Sequence, residues 1–238
     1  MMKQEQSQRI LKSLLSSAEK RALVWLAQRQ PRWITSDILT GIGVVGAMVV
    51  ALGYFLSNYH IGWLWIASLG YLINWYGDSL DGTLARVRGT QRPIYGFFLD
   101  HNIDGVTMAI MSIGAGLSDM LNLYRAMAVL AVYLLLSISV YINAHLKSEF
   151  KLTYAGMGPT EFRLIMIAVN TLFATISPLR EWAVHFTVCK TNVIFGAFDF
   201  VGGTILMVLV VIYLSNFVKD AKGYAKIDPV RTPAMGDW

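Results

Sequence analysis

Long apolar runs separated by short polar breaks occupy most of this 238-residue chain. They fall at roughly 38–57, 61–77, 99–122, 126–146, 163–180 and 192–217, several close to the ~20 residues a helix needs to cross a bilayer. The pattern predicts an all-α fold, a six-transmembrane-helix bundle. The second run is short, so its helix is expected to continue through Asp81 toward Arg88, and the third is interrupted by Asp100 and Asp104 near its start. Ahead of the bundle, Ile10, Leu11, Leu14, Leu15, Leu23, Val24, Trp25 and Leu26 recur at helical spacing, with Lys12, Lys20 and Arg21 on the polar side. Such an N-terminal amphipathic helix lies in the membrane interface or packs on the protein as a cap. Pro31 and Trp33 mark the entry to the bilayer. The expected organisation is a juxtamembrane segment 1–37, a membrane domain 38–218 and a tail 219–238.

Composition agrees with an integral membrane protein: 55% of residues are hydrophobic, 15% are charged, and mean hydropathy is +0.50. The net charge of +5 is segregated by topology and not gathered into a stripe, which argues against a nucleic-acid partner. Of 20 Lys and Arg, only Arg125, Arg180 and Lys190 fall on the side opposite the N-terminal segment, the loops after the second and fourth runs, and the tail. Both termini and the acidic stretch between the second and third runs are therefore expected on the cytoplasmic side. The single cysteine, Cys189, excludes an intramolecular disulfide and reads as packing. The polar, basic first 37 residues show no cleavable signal peptide, and no internal repeat or low-complexity tract is present.

The polar residues that stand out are two acidic pairs, Asp78/Asp81 and Asp100/Asp104. Residues three or four apart share a helix face, so each pair presents two carboxylates in one direction. Four such groups near a bilayer repel one another unless a positive charge sits among them, and a divalent cation is the simplest candidate. Carboxylate-only donors suit Mg²⁺ or Mn²⁺, and the stretch has no thiolate and one histidine, which disfavours zinc. Asp119, at the far end of the third run, reads as a solvated terminus.

These residues stand in the pattern D-x2-D-G-x2-A-R, nine residues, G-x3-D-x3-D, carried by Asp78, Asp81, Gly82, Ala85, Arg86, Gly96, Asp100 and Asp104. Eight fixed positions would match by chance about once in 10^10 placements. The pattern resembles the signature of the CDP-alcohol phosphotransferases, and T-S-D-I-L-T-G-I-G resembles that family's lead-in to its first span, with Ser36-Asp37 where Pro-Asn often stands. The resemblance implies a membrane-embedded transferase whose catalytic domain is 38–218. Asp78, Asp81 and Asp100 would be metal ligands for two divalent ions. Asp104 would be the general base on the acceptor hydroxyl, also touching a metal. Gly82 and Ala85 would let a cytidine nucleotide lie against the backbone, Gly96 would act similarly, and Arg86 would meet a phosphate. A six-helix homodimer is implied as well.

Each of these residues has a plainer role to weigh. Gly82, Ala85 and Gly96 suit close helix packing. Arg86, and more so Arg88 and Arg92, suit snorkelling at the interface. His101 after Asp100 makes a D-H pair similar to the branch that joins CDP-choline or CDP-ethanolamine to diacylglycerol, or it points away from the metals. In G-M-G-P-T-E-F-R (156–163), Glu161 and Arg163 are candidates for binding the acceptor or a lipid phosphate, while Thr160 and Glu161 equally suit a helix start. Lys147, Glu149 and Lys151 read as a solvated face, Trp63, Trp65 and Trp75 as interfacial anchors or core, and Asn74 as a core hydrogen-bonding group or a residue that orients a ligand.

The leading expectation is transfer of a phosphatidyl group from CDP-diacylglycerol to a small polar alcohol, with release of CMP. The alternative takes CDP-choline or CDP-ethanolamine as donor and diacylglycerol as acceptor. A divalent-cation transporter would place acidic residues at mid-bilayer depth in several spans, whereas these cluster at one face. A non-catalytic lipid-binding relative is disfavoured by the intact signature.

Overall fold

The computed structural model describes residues 16–147, 159–188 and 191–229. Cys189, Glu149, Lys151, residues 156–158 and the leucines before Ser16 lie outside them. The elements are α1 (Ser16–Gln28), α2 (Ser36–Leu56), a 3₁₀ turn (Ile61–Trp63), α3 (Leu64–Arg88), α4 (Pro93–Gly116), α5 (Leu123–Lys147), α6 (Pro159–Thr175), α7 (Ser177–Glu181), β1 (Ala183–Val188), β2 (Thr191–Gly196) and α8 (Ala197–Ile227). Among the described residues the regular elements are helical except for β1 and β2, an antiparallel ribbon in which Ala183 faces Gly196.

Helices α2 and α3 form the tightest crossing, and their small residues explain it. A Cβ added at Gly46, Gly53, Gly70 or Gly77 would come within 2.3–2.5 Å of the other helix's backbone. Lipid offers apolar side chains no reason to leave it, so helices there associate through close backbone approach, which glycine permits. Gly114 brings α4 against Ala51 of α2 in the same way. Around this crossing, Tyr54, Leu64, Tyr71, Met111, Leu121, Met166, Phe173 and Phe198 build the main core. Tyr54 donates to Asn170 Oδ1 at 3.0 Å, so its buried hydroxyl is satisfied.

Helix boundaries follow local chemistry. Thr35 caps α2 by accepting from Ile38 N at 3.2 Å. As expected from the short second run, α3 continues past Asp81 and stops at Gly89, whose φ of 66° is the left-handed conformation that ends helices. Pro93 starts α4 six residues before the predicted run, its fixed φ suiting a first helical turn. The predicted fifth run, 163–180, is split: α6 ends at Thr175 and Pro178 opens the short α7. Arg180 then closes the end of α6 by donating to the carbonyls of Phe173 (2.7 Å) and Ala174 (3.1 Å). The first residues of the predicted sixth run form β2, and α8 carries on through residues 219–227 of the predicted tail.

Among the described residues, three helices, α2, α5 and α8, are long and apolar enough to cross a membrane. The others that the apolar runs assigned as spans, α3, α4 and α6, carry the polar residues of the site within them. Helix α1 buries its apolar face on the protein: Leu23 and Ala27 pack with Ile34, Leu39, Leu80 and Leu84. Its Glu19 accepts hydrogen bonds from Trp75 Nε1 (2.8 Å) and Thr160 Oγ1 (2.5 Å), tying α1 to α3 and α6.

Candidate active site

The polar ends of α3 and α4 meet at one end of the bundle. A helical turn separates Asp100 from Asp104, so both project from α4 in one direction, toward Asp78 on α3. One carboxylate oxygen from each of Asp78, Asp100 and Asp104 lies within 4.8 Å of the other two. Asp81 is turned toward α2: Thr40 Oγ1 donates to its Oδ2 at 2.7 Å, Gly82 N donates to its Oδ1, and Ser36 Oγ donates to its carbonyl at 2.7 Å. Asp119 is exposed and hydrogen-bonded through its backbone to Asn58, away from the cluster.

Asp81 lies beyond the 61–77 apolar run, on the polar extension of α3. Burial pushes its carboxyl up to about 7; Thr40 and Gly82 oppose the rise, and Asp100 and Asp78 add to it. The carboxylates therefore sense one another across the two helices. Clustered oxygens with no sulfur donor among them fit a hard divalent cation. Such an ion would relieve the like-charge repulsion that adds to the effect of burial at Asp81.

One cation already stands at the cluster. Arg163 of α6 donates through Nη2 to Asp78 Oδ2 at 2.6 Å and through Nε to Asn74 Oδ1 at 2.8 Å. Asn74, one turn before Asp78, donates in turn to the Gly43 carbonyl of α2 at 2.9 Å. Asn74 is thus a core hydrogen-bonding group that also holds Arg163. Glu161 is buried at the first turn of α6 and lines the same cavity.

That cavity has a volume of about 2660 Å³. Its polar end carries the four aspartates, Arg86 and Arg163, while α5 and α8 give it an apolar flank through residues such as Leu136, Val208 and Ile212. Gly82, Ala85 and Gly96 line it too. A Cβ at Gly96 would meet nothing within 4 Å, and one at Gly82 would meet only Arg86 Nη1, at 3.5 Å. Among the described residues these two glycines open space within the cavity and meet no other helix. Arg86 keeps its guanidinium over Thr83, with Nη2 2.9 Å from Oγ1.

His101 sits beside the cluster, Nδ1 3.4 Å from Asp100 Oδ2, with its ring between Phe97 (centroids 4.1 Å) and Tyr141 (4.8 Å). Arg88 and Arg92 both find polar partners on the protein. Arg88 reaches back to the carbonyls of Gln30, Pro31 and Ile34, which the turn between α1 and α2 leaves without helical donors. Arg92 pairs with Asp37 at 2.5 Å and lies 4.0 Å over the Tyr95 ring. Thr40 and Glu19 escaped notice in the sequence: each acts on a partner far along the chain, and although Thr40 lies within T-S-D-I-L-T-G-I-G, nothing local singles out either side chain.

Comparison with known proteins places these features. The family model for CDP-alcohol phosphatidyltransferase matches residues 33–213. The chain is also similar to the phosphatidylinositol phosphate synthase of Cutibacterium acnes (strain DSM 16379 / KPA171202). The two are 30% identical over 158 residues, which is 63% of this chain and 73% of that protein.

Proposed function

The chain belongs to the CDP-alcohol phosphatidyltransferase family, transferases of substituted phosphate groups, and from that premise we propose that it moves a phosphatidyl group from CDP-diacylglycerol to a small polar alcohol. The observation that carries this reading is the convergence of Asp78, Asp100 and Asp104 within 4.8 Å at the polar end of a cavity with an apolar flank. A diacylated donor needs both: charge neutralisation at the pyrophosphate and apolar surface for its chains.

In this reading Asp78, Asp81 and Asp100, with Asp104 also in contact, hold two Mg²⁺ or Mn²⁺ ions. When bound, such ions neutralise the pyrophosphate and the charge that develops on its leaving oxygen. The protein's own groups do the rest. Gly82, Ala85 and Gly96 leave room for the cytidine nucleotide along α3 and α4, and Arg86 offers a bidentate donor to a phosphate. Asp104 takes the proton of the acceptor hydroxyl as its oxygen bonds to the phosphorus bearing the diacylglyceryl group. The bond from that phosphorus to the bridging oxygen breaks, and CMP leaves. Glu161, Arg163 and His101 face the same cavity and are the candidates for orienting the acceptor.

The membrane arrangement belongs to this proposal: α2, α3, α4, α5, α6 and α8 as six spans, both termini and the site on the cytoplasmic side, and a homodimer in the bilayer. The segregation of Lys and Arg and the position of the aspartates at the polar ends of α3 and α4 support it.

The test offers purified protein each donor in turn, CDP-diacylglycerol, CDP-choline and CDP-ethanolamine, with Mg²⁺ or Mn²⁺ and a panel of alcohols, and measures CMP. The name of the similar synthase makes an inositol phosphate the first acceptor to try. CMP formation from CDP-diacylglycerol that depends on both alcohol and metal supports the proposal. CMP formation only from CDP-choline or CDP-ethanolamine with diacylglycerol would replace it with the aminoalcohol reading.

A further inference from the structure

Arg163 and the aspartate cluster stand in a relation that the transfer reaction alone does not require. The guanidinium comes from α6, yet it is held on α3 from two sides. Nη2 is 2.6 Å from Asp78 Oδ2 and Nε is 2.8 Å from Asn74 Oδ1, and Asn74, only 2% exposed, is anchored to the Gly43 carbonyl at 2.9 Å. The Arg163 side chain is 12% exposed, so water screens the pair weakly. Its Nη1 is buried without a hydrogen-bond partner among the described residues. Two of the guanidinium's three nitrogens are thus committed to α3, and one carboxylate oxygen of Asp78 is occupied by a fixed positive charge.

A divalent ion approaching Asp78, Asp100 and Asp104 meets that charge. Either it displaces Nη2 from Asp78 Oδ2, or it binds the other oxygen with a guanidinium a few ångströms away in a poorly screened site. Both routes weaken the metal's hold. We propose that Arg163 is an internal counter-cation that competes with the metal for Asp78 and so sets the site's metal affinity. It offsets part of the cluster's negative charge when no metal is bound, and it links metal loading to the position of α6. This inference rests on the metal-binding reading given above. It differs from a purely orienting role in the sign of its effect. If Arg163 only steadied Asp78, removing it would loosen the ligand and weaken metal binding; if it competes, removing it tightens metal binding.

The experiment titrates Mn²⁺ into detergent-solubilised full-length protein and follows free Mn²⁺ by electron paramagnetic resonance, for the wild type, Arg163→Gln and Arg163→Lys. Arg163→Gln, which removes the charge, should bind Mn²⁺ about tenfold more tightly than the wild type. Arg163→Lys, which keeps the charge, should stay within about threefold of it. Unchanged or weaker binding by Arg163→Gln overturns the inference while leaving the proposed function standing. A folded wild type that binds no Mn²⁺ overturns both. A second readout needs no charge-removing variant. With ¹⁵N-arginine in the wild type, the Arg163 Nε–H signal, assigned by its loss in Arg163→Lys, should shift on Mg²⁺ titration with the affinity at which the ion binds. An Nε–H signal that stays in place at saturating Mg²⁺ also overturns the inference.

Discussion

Substituting Gly77 by alanine probes how the α2–α3 crossing aims the site. A Cβ at position 77 would lie 2.3 Å from Gly43 N, 2.5 Å from Leu39 O and 2.7 Å from Gly43 Cα. All three are backbone atoms, so no side chain can rotate away. Reaching an ordinary carbon contact of about 3.5 Å requires the helices to separate by about 1 Å. Overpacking of this kind costs ~1–3 kcal/mol. The catalytic loss should be larger, because Gly77 precedes Asp78 directly and Gly43 accepts the hydrogen bond that anchors Asn74 and, through it, Arg163. A displacement of about 1 Å at a catalytic group lowers turnover about 10²-fold. Gly41→Ala, on the facing helix α2, is the control: its Cβ would meet nothing within 4 Å. There, alanine should raise stability by ~0.5–1 kcal/mol through helix propensity and leave CMP release intact. The assay is thermal unfolding in detergent alongside CMP release per folded molecule. A Gly77→Ala protein with wild-type melting temperature and turnover would refute the claim that this backbone contact positions Asp78.

Asp104→Asn should abolish CMP release while leaving thermal unfolding and nucleotide binding close to wild type; full CMP release would remove its role as base. Because Asp81 is pushed up to about 7, it holds its proton below that pH and a metal must displace it. Mn²⁺ affinity should therefore fall by up to about tenfold per pH unit below pH ~7 and level off above it. Thr40→Val, which removes a hydrogen bond opposing the rise, should move that midpoint upward, and a flat Mn²⁺ profile between about pH 6 and 8 would contradict the coupling. At the other end of the bundle, Arg125 pairs with Asp199 and lies 4.1 Å over the Phe195 ring. Asp199 also accepts from Asn122 N (2.9 Å) and Gly196 N (3.1 Å). Arg125→Ala leaves a buried carboxylate without its cation and should cost ~3–5 kcal/mol in unfolding measurements, with turnover per folded molecule unchanged.

The apolar runs and the eight-position motif are local features, and they were legible without coordinates. A helix in a membrane satisfies its backbone within itself, so apolar run length and a polar interruption predict where α2, α3 and α5 lie and that α3 outlasts its run. The spacing of Asp100 and Asp104 likewise puts both on one face of one helix. Which groups then meet is a different matter, since it depends on how far apart two helices lie and how each is rotated. Glycines so close to the facing backbone that an added Cβ would lie 2.3–2.5 Å from it set that between α2 and α3. They place Thr40 on Asp81 across 41 residues, and α6 brings Arg163 to Asp78 across 85. The ribbon before α8 was hidden for a related reason: an apolar strand and the opening of an apolar span look alike in composition. Run length and residue spacing thus determine the helices and the four carboxylates, whereas only tertiary packing decided that three carboxylates converge, that the fourth turns to a threonine, and that an arginine stands among them.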